Sequence, residues 1–183
     1  MPSSPPSFRV RPAIAADAPA LAALSIQVWL ATYATEGVSD LLARYVLEQF
    51  TPAAFTAWMD DAGTGLIVAE ADGHLLGYAR LGFDAPQPPP LSSVAGTELC
   101  TLYVQEPFTR SGVGSALLDE ACATARERTG SDAMWLTVNA RNERACGFYR
   151  KHGFVRRGTT WFVLGEGRHE NLELARPWAP PCR

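Results

Sequence analysis

Two glycines, Gly112 and Gly114, stand one residue apart in the stretch EPFTRSGVGSALL, where apolar residues then take on helical spacing. Glycine is unfavourable inside a helix, so a pair at a helix start indicates that something approaches the backbone closely. The first turn of a helix offers unpaired N–H groups and a partial positive charge, which favour a phosphate. The pattern is neither G-x-G-x-x-G nor a P-loop, because Ala116 and Leu117 follow and no G-K-[ST] occurs. Alone, it predicts either a phosphate-binding turn or a tight strand-to-helix turn packed against a sheet.

The elements that would position this turn alternate along the chain. Residue spacing and turn signals predict seven strands: 8–13, two within 65–83 around Asp72-Gly73, 97–104, 133–139, and the stretches TTWFVLGE (159–166) and NLELAR (171–176) within 154–176. They predict helices at 17–33, 41–50, 112–128 and 142–152, with a short helical turn near 52–58. This order predicts an α/β (α+β) fold with a mixed sheet and helices on both faces. We expect one domain over residues 8–178, with flexible termini at 1–7 and 179–183.

Composition and charge exclude several classes of protein. The chain has 183 residues and a formal net charge of −3, so nothing at the whole-chain level favours a nucleic-acid partner. We expect no apolar run as long as a transmembrane segment, and hence no membrane span. We expect no signal peptide either, since the N-terminus lacks a basic region followed by an apolar one. The four cysteines form no C-x-x-C pair and have no histidines at metal-ligand spacing, so no metal site is expected. These features predict a cytoplasmic protein with reduced thiols.

Two motifs resemble those of a known family. LYVQEPFTRSGVGSALL resembles motif A of the GNAT superfamily of acyl-CoA N-acyltransferases, roughly L-x-V-x-P-x-x-[QR]-x-x-G-x-[GA]-x-x-L. WLTVNARNERACGFYRKHGF resembles the motif B region of that family, with its L-x-V, its N-x-x-A, a helix-borne tyrosine and a closing G-F. With the matching order of elements, the resemblance extends from Phe8 to Arg176. It implies a single GNAT-like domain with a mixed, mostly antiparallel sheet that is splayed at its centre.

The resemblance implies a binding site for acetyl-CoA (CoA). Backbone groups of Leu102, Tyr103 and Val104 would pair with the pantetheine arm as an added strand does. Asn142 would contact the cofactor arm beyond the motif. The pyrophosphate would be held by the segment before and inside the helix start, whose candidate residues are Thr109, Arg110, Ser111, Gly112, Val113, Gly114 and Ser115.

The chain departs from the family pattern in this segment. Thr109 stands where Gln or Arg is usual, and Glu106 stands where Pro is usual, with Pro107 one place later. Either the loop is shifted by one residue, or Arg110 supplies the charge through charge-assisted hydrogen bonds to a phosphate. The expected backbone contacts are the same in both cases.

The resemblance also implies a direct acyl transfer to an amine, which needs a base and an acid. Tyr149 would stand near the thiolate as the general acid; its alternative role is that of a half-buried core aromatic. Glu98 is our candidate base, because alternation places it on one strand face with Cys100 and Leu102. The alternative for Glu98 is an exposed strand carboxylate.

The acceptor is expected to be a primary amine of a small molecule or a peptide. An aromatic and acidic wall suits an amine with an apolar body, and the candidate residues for it are Trp29, Tyr33, Glu36 and Asp84. Trp29 and Tyr33 also have the spacing of ordinary core residues on one helix. Two other functions stay open: a CoA-binding regulatory module without catalysis, and a transferase of a longer or acidic acyl group. A homodimer is also open.

Overall fold

The computed structural model of the protein describes residues 7–83, 85, 96–130 and 133–176. Its elements, in chain order, are β1 (Arg9–Pro12), α1 (Ala18–Tyr33), α2 (Asp40–Gln49), α3 (Pro52–Asp60), β2 (Thr64–Ala71), β3 (His74–Gly82), β4 (Thr97–Val104), α4 (Val113–Thr129), β5 (Met134–Asn139), α5 (Glu143–Lys151), β6 (Val155–Leu164) and β7 (Gly167–Arg176). The segment 52–58, expected as a short turn, belongs to the full helix α3, which Thr51 caps through the Ala54 N–H. The termini that we expect to be flexible lie outside the described residues, except for Ser7.

The seven strands form one mixed sheet in the order β1-β2-β3-β4-β5-β7-β6. β4 and β5 are parallel, whereas β7 is antiparallel to both β5 and β6. The parallel register joins Thr97 to Met134 and Glu98 to Trp135. Both strands continue beyond these two pairs, so their pairing stops early within the described chain, and the predicted mixed and splayed sheet is confirmed.

Contacts divide the chain into two compact units. The first contains the residues up to Arg80 together with Thr101–Ala121, and the second contains Leu81–Cys100 together with the residues from Cys122 onward. In the first unit, α1 and α3 pack on β2 and β3, with Leu21, Phe55 and Tyr78 in one apolar core. Four consecutive residues of β2, 66–69, are buried. Both faces of this strand are therefore covered, as in the central strands of an α/β protein.

In the second unit, side chains alternate across β5 and β7. Met134, Leu136 and Leu174 are buried on one face. Arg176, which pairs with Met134, donates to the Cys122 Sγ at 2.6 Å, so this is the face that the second half of α4 covers. We call it the helix-covered face.

One segment, 15–33, has the length and apolar composition of a membrane span, so our expectation that the chain contains no such run was wrong. Length and composition alone are weak evidence for a membrane span, because the core helix of a soluble protein meets the same criteria. Leu21, Leu24 and Trp29 of this segment are at most 4% exposed, and Leu21 and Leu24 belong to the core of the first unit. The apolar composition is accounted for by packing within that unit.

Candidate functional site

The end of β4 lies close against β3. Leu102, Tyr103 and Val104 are half-buried. A Cβ added to Gly77 would stand 2.5 Å from the Tyr103 carbonyl oxygen and 3.1 Å from the Val104 Cα. Gly77 therefore permits this approach, which no other residue would allow without a shift. It was not predicted as a site residue, although a glycine inside a strand pattern is the signal for such a contact.

The loop after β4 is fixed by its own hydrogen bonds. The Gln105 N–H donates to the Leu76 carbonyl at 3.0 Å and so ties the loop to β3. Thr109 Oγ1 donates to the Glu106 carbonyl at 2.8 Å, and Ser111 Oγ donates at 2.6 Å to the carbonyl three residues before it. Both hydroxyl protons are used inside the loop. The role of Thr109 as a cofactor contact stays a prediction.

Arg110 and Gly112 have left-handed backbone conformations, with φ of 63° and 91°. Glycine adopts this region freely, whereas a residue with a Cβ does so at a cost. Arg110 is exposed, and a Cβ added to Gly112 would have nothing within 4 Å. The loop thus presents a charged side chain beside open backbone, and the unfavourable conformation of Arg110 marks it as a candidate functional residue.

Helix α4 begins directly after this loop. The Ala116 N–H donates to the Gly112 carbonyl at 3.0 Å, so the N–H groups of Val113, Gly114 and Ser115 precede the helical ladder. Val113 is fully buried and anchors the turn. No acidic residue lies in the first turn, so no side-chain carboxylate there offsets the positive end of the helix dipole. These backbone groups and the neighbouring Arg110 fit a pyrophosphate.

Asn142, in the second unit, is the N-cap of α5. Its Oδ1 accepts from the Ala145 N–H at 3.0 Å, and its carbonyl accepts from the Cys146 N–H at 2.9 Å. This capping role was not predicted, although asparagine before a helix is a standard signal for it. The side-chain nitrogen is not used by the cap, so Asn142 keeps N–H donors for the cofactor contact that the resemblance implies.

Tyr149 of α5 is a buried residue with a polar tip. It is 8% exposed, and its ring packs edge-on against Phe154 with centroids 5.5 Å apart. Burial, followed by the neighbouring Cys146, raises the pKa of Tyr149 well above its ordinary value. Within the described segments no hydrogen bond to its hydroxyl is found. Tyr149 therefore stays protonated near neutral pH and can donate; this fits both of its predicted roles.

Glu98 and Cys100 share one face of β4, as the alternation predicts. A Cβ added to Gly82 would lie 3.9 Å from the Glu98 Cβ and 3.2 Å from the Cys100 Sγ. Glu98 is half-buried, and its Cα is paired with that of Trp135 in β5. Its role as a base stays a prediction.

Two of the four candidate acceptor residues lie together. Tyr33 and Glu36 line a cavity of about 390 Å³ at the junction of α1 and α2. Trp29 is only 3% exposed and stacks on Tyr33 and Tyr45, with centroids 4.5 and 4.8 Å apart. It therefore supports Tyr33 from within the core. Asp84 lies outside the described residues.

Comparison with known proteins gives matches over most of the chain. The model of the acetyltransferase (GNAT) family matches residues 25–154. An uncharacterised N-acetyltransferase of Mycobacterium tuberculosis is 32% identical over 157 residues, which cover 85% of this chain and 93% of that protein.

Solved structures share the fold at lower identity. The PaiA N-acetyltransferase of Thermoplasma acidophilum, crystallised with coenzyme A, is similar with a TM-score of 0.76 at 20% identity, over 94% of this chain and 99% of that one. The structure of YncA from Salmonella typhimurium, with its cofactor acetyl-CoA, has a TM-score of 0.66 at 18% identity, over 97% of each chain. At these identities the likeness concerns the fold.

Proposed function

The chain belongs to the GNAT family of acetyltransferases, and we propose that it moves the acetyl group of acetyl-CoA directly to a primary amine of a small molecule or a peptide. The observation that carries this proposal is the loop before α4, with left-handed Arg110 and Gly112 and a helix start free of acidic residues. CoA use is further supported by the PaiA and YncA structures, which hold CoA and acetyl-CoA. When bound, the cofactor supplies the activated acetyl thioester.

Each part of the cofactor has residues that suit it. Backbone N–H groups from 110 to 115 bind the pyrophosphate, and the guanidinium of Arg110 adds a charge-assisted contact. Backbone groups of 102–104 bind the pantetheine arm as a neighbouring strand would. Asn142 donates from its side-chain nitrogen while its Oδ1 continues to cap α5.

Two side chains handle the protons of the transfer. The amine must be neutral to attack, so Glu98 accepts its proton directly or through a water molecule. Tyr149 donates a proton to the departing sulfur. Burial raises the pKa of Tyr149, so the hydroxyl carries its proton over the whole neutral range and is available as a donor. Tyr33 and Glu36 contact the acceptor, with the ring against its apolar body and the carboxylate near its charge.

Ligand-dependent unfolding and acetyl transfer test the proposal together. CoA at about a hundred times its dissociation constant should stabilise the protein by roughly 2.7 kcal/mol. Thiol release is then followed with acetyl-CoA and a panel of polyamines, aminoglycosides, amino acids and peptides with free N-termini. No stabilisation by CoA or acetyl-CoA would contradict the use of this cofactor. Stabilisation without thiol release across the panel would indicate a CoA-binding module, and faster turnover with a longer or acidic acyl-CoA would change the donor.

The base is tested separately. Glu98→Gln should reduce kcat/KM, with the Cys100→Ser variant on the same strand face as the control. Full activity in Glu98→Gln would remove this residue from the mechanism.

A further inference from the structure

Glu173, in β7, is a buried acid, and one of its two carboxylate oxygens has no hydrogen-bond partner among the described residues. The residue is 5% exposed, and that oxygen, Oε2, is shielded from solvent. No ion pair to Glu173 is found in the same part of the chain. Burial of a carboxylate is unfavourable unless the group is paired or meets hydrogen-bond donors. The Oε2 of Glu173 is therefore a buried acceptor that the described residues leave unsatisfied.

Glu173 lies on the face opposite to the helix-covered face of the second unit. Its cross-strand neighbour in β5 is Thr137, which is exposed. The arginines nearest to it in register on β6 and β7 are Arg156, Arg157 and Arg176. Arg157 lies in the bulge beside the β6 partner of Glu173 and is exposed; no ion pair joins it to Glu173 among the described residues. Arg156 and Arg176 have described contacts. Both pair across the sheet with residues of the helix-covered face, and each donates to another side chain. These cations are therefore committed elsewhere.

Asn171, two residues earlier on the same face of β7, also has a buried acceptor oxygen. No hydrogen-bond partner for this atom, Oδ1, is found among the described residues. Trp135, which is 5% exposed, pairs with Ala175 and so lies on this face too. Its Nε1 is likewise buried with no partner in the described chain. Glu98 pairs with Trp135, so the same face continues to the candidate base.

We propose that Glu173 and Asn171 bind a second, protonated nitrogen of the acceptor, which makes the acceptor a diamine or polyamine. This inference rests on the proposed function. An ammonium group brings positive charge and up to three N–H donors, so it satisfies both acceptor oxygens at once. An anion would be repelled, and an apolar group would leave the carboxylate unpaired. The ring of Trp135 suits the alkyl chain or the cation itself.

The strand register sets the length of such an acceptor. Glu98, Trp135 and Ala175 are in register, and Glu173 is two residues from Ala175. With strands about 4.8 Å apart and a rise of about 3.4 Å per residue, the Cα atoms of Glu98 and Glu173 are about 12 Å apart. Because strand side chains stand roughly perpendicular to the sheet, a hydrogen bond of about 2.8 Å at each end leaves about 6 Å between the two nitrogens, which is the span of a short diaminoalkane. One nitrogen is deprotonated at Glu98, while the other remains charged at Glu173.

The test compares 1,4-diaminobutane with n-butylamine, which has the same carbon chain and one nitrogen fewer. The wild type should have a kcat/KM at least about tenfold higher for the diamine, which corresponds to about 1.4 kcal/mol. Glu173→Gln should remove this preference and leave n-butylamine turnover unchanged. Glu170→Gln is the matched control, because Glu170 is exposed on the same strand and alternation places it on the other face. Equal kcat/KM for the two amines in the wild type would overturn the inference.

Thermal unfolding gives a readout that does not depend on turnover. Glu173→Gln replaces a buried acid whose Oε2 lacks a partner with a neutral amide of the same shape, so the unliganded variant should melt at a higher temperature than the wild type, while 1,4-diaminobutane should no longer raise its Tm. A lower Tm without ligand would assign Glu173 a structural hydrogen bond and overturn the inference. Asn171→Leu, similar in size, should also weaken diamine stabilisation; an unchanged effect of the diamine in both variants would contradict the subsite.

The outcomes separate the two proposals. Acetyl transfer to both amines without a preference would contradict the subsite and leave the proposed function intact. Glu173-dependent stabilisation by 1,4-diaminobutane, without acetyl transfer to any amine, would support the subsite and contradict the proposed function.

Discussion

At the scale of single residues, Arg110 combines an unfavourable backbone conformation with an exposed charge. Arg110→Ala and Arg110→Gly both remove the guanidinium, but only glycine relieves the left-handed conformation. We expect both variants to weaken acetyl-CoA binding about tenfold or more, since a hydrogen bond to a charged group contributes about 1.5–3 kcal/mol. Turnover at saturating cofactor should be retained. Arg110→Gly should be more stable than Arg110→Ala by about 0.5–1 kcal/mol.

Calorimetric titration with CoA measures the change in affinity, and unfolding in urea measures the change in stability. Unchanged affinity in both variants would show that the backbone donors suffice. A loss confined to Arg110→Ala would assign the effect to conformation and not to charge.

Tyr149→Phe keeps the buried ring and removes the proton donor. As general acid–base catalysis contributes about 10²–10⁴-fold, we expect kcat to fall by at least about 10²-fold, with the affinity for acetyl-CoA unchanged. Burial raises the pKa of Tyr149, so its proton is retained as the pH rises, and the alkaline limb of the wild-type profile should lie above the range of an ordinary tyrosine. Tyr149→Phe should lose this limb.

Tyr78→Phe is the matched control for this variant. Tyr78 is also a buried tyrosine, but its hydroxyl lies 2.9 Å from Ser25 Oγ in the core. Loss of this hydrogen bond in Tyr78→Phe should lower the free energy of unfolding by about 1 kcal/mol and leave the alkaline limb of the pH–rate profile in place. An alkaline limb that survives in Tyr149→Phe would contradict the role of general acid.

At the scale of elements, the sequence predicts structure best where the conformation depends on the residues of the element itself. Asp72 and Gly73 have φ of 49° and 79°, as the predicted hairpin turn requires. β6 and β7 begin earlier than predicted, at Val155 and Gly167. The residues before Thr159 contain a bulge, and Arg168 and His169 are polar, so composition does not indicate a strand at either place. Pairing between β6 and β7 nevertheless extends both strands over these residues.

In the candidate site, too, some features follow from the local sequence and others depend on residues elsewhere in the chain. The left-handed Gly112 follows from its residue type and position, whereas the left-handed Arg110 does not. The burial of Trp29 and Glu173 depends on what packs over them, and this information comes from other parts of the chain. Local patterns therefore predicted the glycine turn before α4, while the backbone of Arg110 and the environment of isolated side chains required the structure.

A substitution at Gly77 tests whether the close approach of β3 to the end of β4 matters for the proposed cofactor binding. The Cβ of Gly77→Ala would meet the Tyr103 carbonyl at 2.5 Å, so the two strands must move apart. We expect a loss of stability of about 1–3 kcal/mol and weaker acetyl-CoA binding. Gly63→Ala is the control, because its Cβ would have no contact closer than 3.5 Å. Unfolding and CoA titration measure both; normal affinity in a destabilised Gly77→Ala would separate this contact from cofactor binding.

Asn142 has a capping role and a proposed cofactor role, which two substitutions separate. Asn142→Ala removes the cap and should lower the free energy of unfolding by about 1 kcal/mol. Asn142→Ser keeps a capping oxygen but lacks the side-chain amide, so it should be nearly as stable as the wild type and still bind acetyl-CoA more weakly. Wild-type affinity in Asn142→Ser, measured by titration, would leave Asn142 with the cap alone.

At the scale of the whole molecule, one cluster of charges joins β1, the turn before α1, and β2 within the first unit. The Arg11 guanidinium donates to both oxygens of Asp17, at 2.7 and 3.0 Å, and to Glu70 at 2.7 Å. Asp17 is 8% exposed. The hydrogen bond from Arg11 is the largest cause that lowers the pKa of Asp17, and it also lowers that of Glu70. Acid should therefore weaken the fold through this cluster.

A carboxyl group whose pKa is lowered by folding stabilises the protein above its unfolded pKa, near 4, and this contribution disappears as the pH falls through the folded value. We expect Asp17→Asn to lower the free energy of unfolding by about 1–2 kcal/mol at pH 7. The difference from the wild type should shrink as the pH falls from about 4 through the lowered folded pKa of Asp17, because both chains then lack the charge. Urea unfolding at several pH values measures this difference.

Asp40→Asn is the matched control, since the Asp40–Arg44 pair has side chains 80% and 71% exposed. It should change the free energy of unfolding by less than about 0.5 kcal/mol at any pH. Asp17 also accepts from the Ile14 N–H at 2.9 Å, a bond that asparagine can keep. A deficit in Asp17→Asn that is the same at pH 7 and pH 3 would contradict the electrostatic account, because a charge-dependent contribution must vanish when the carboxyl is protonated.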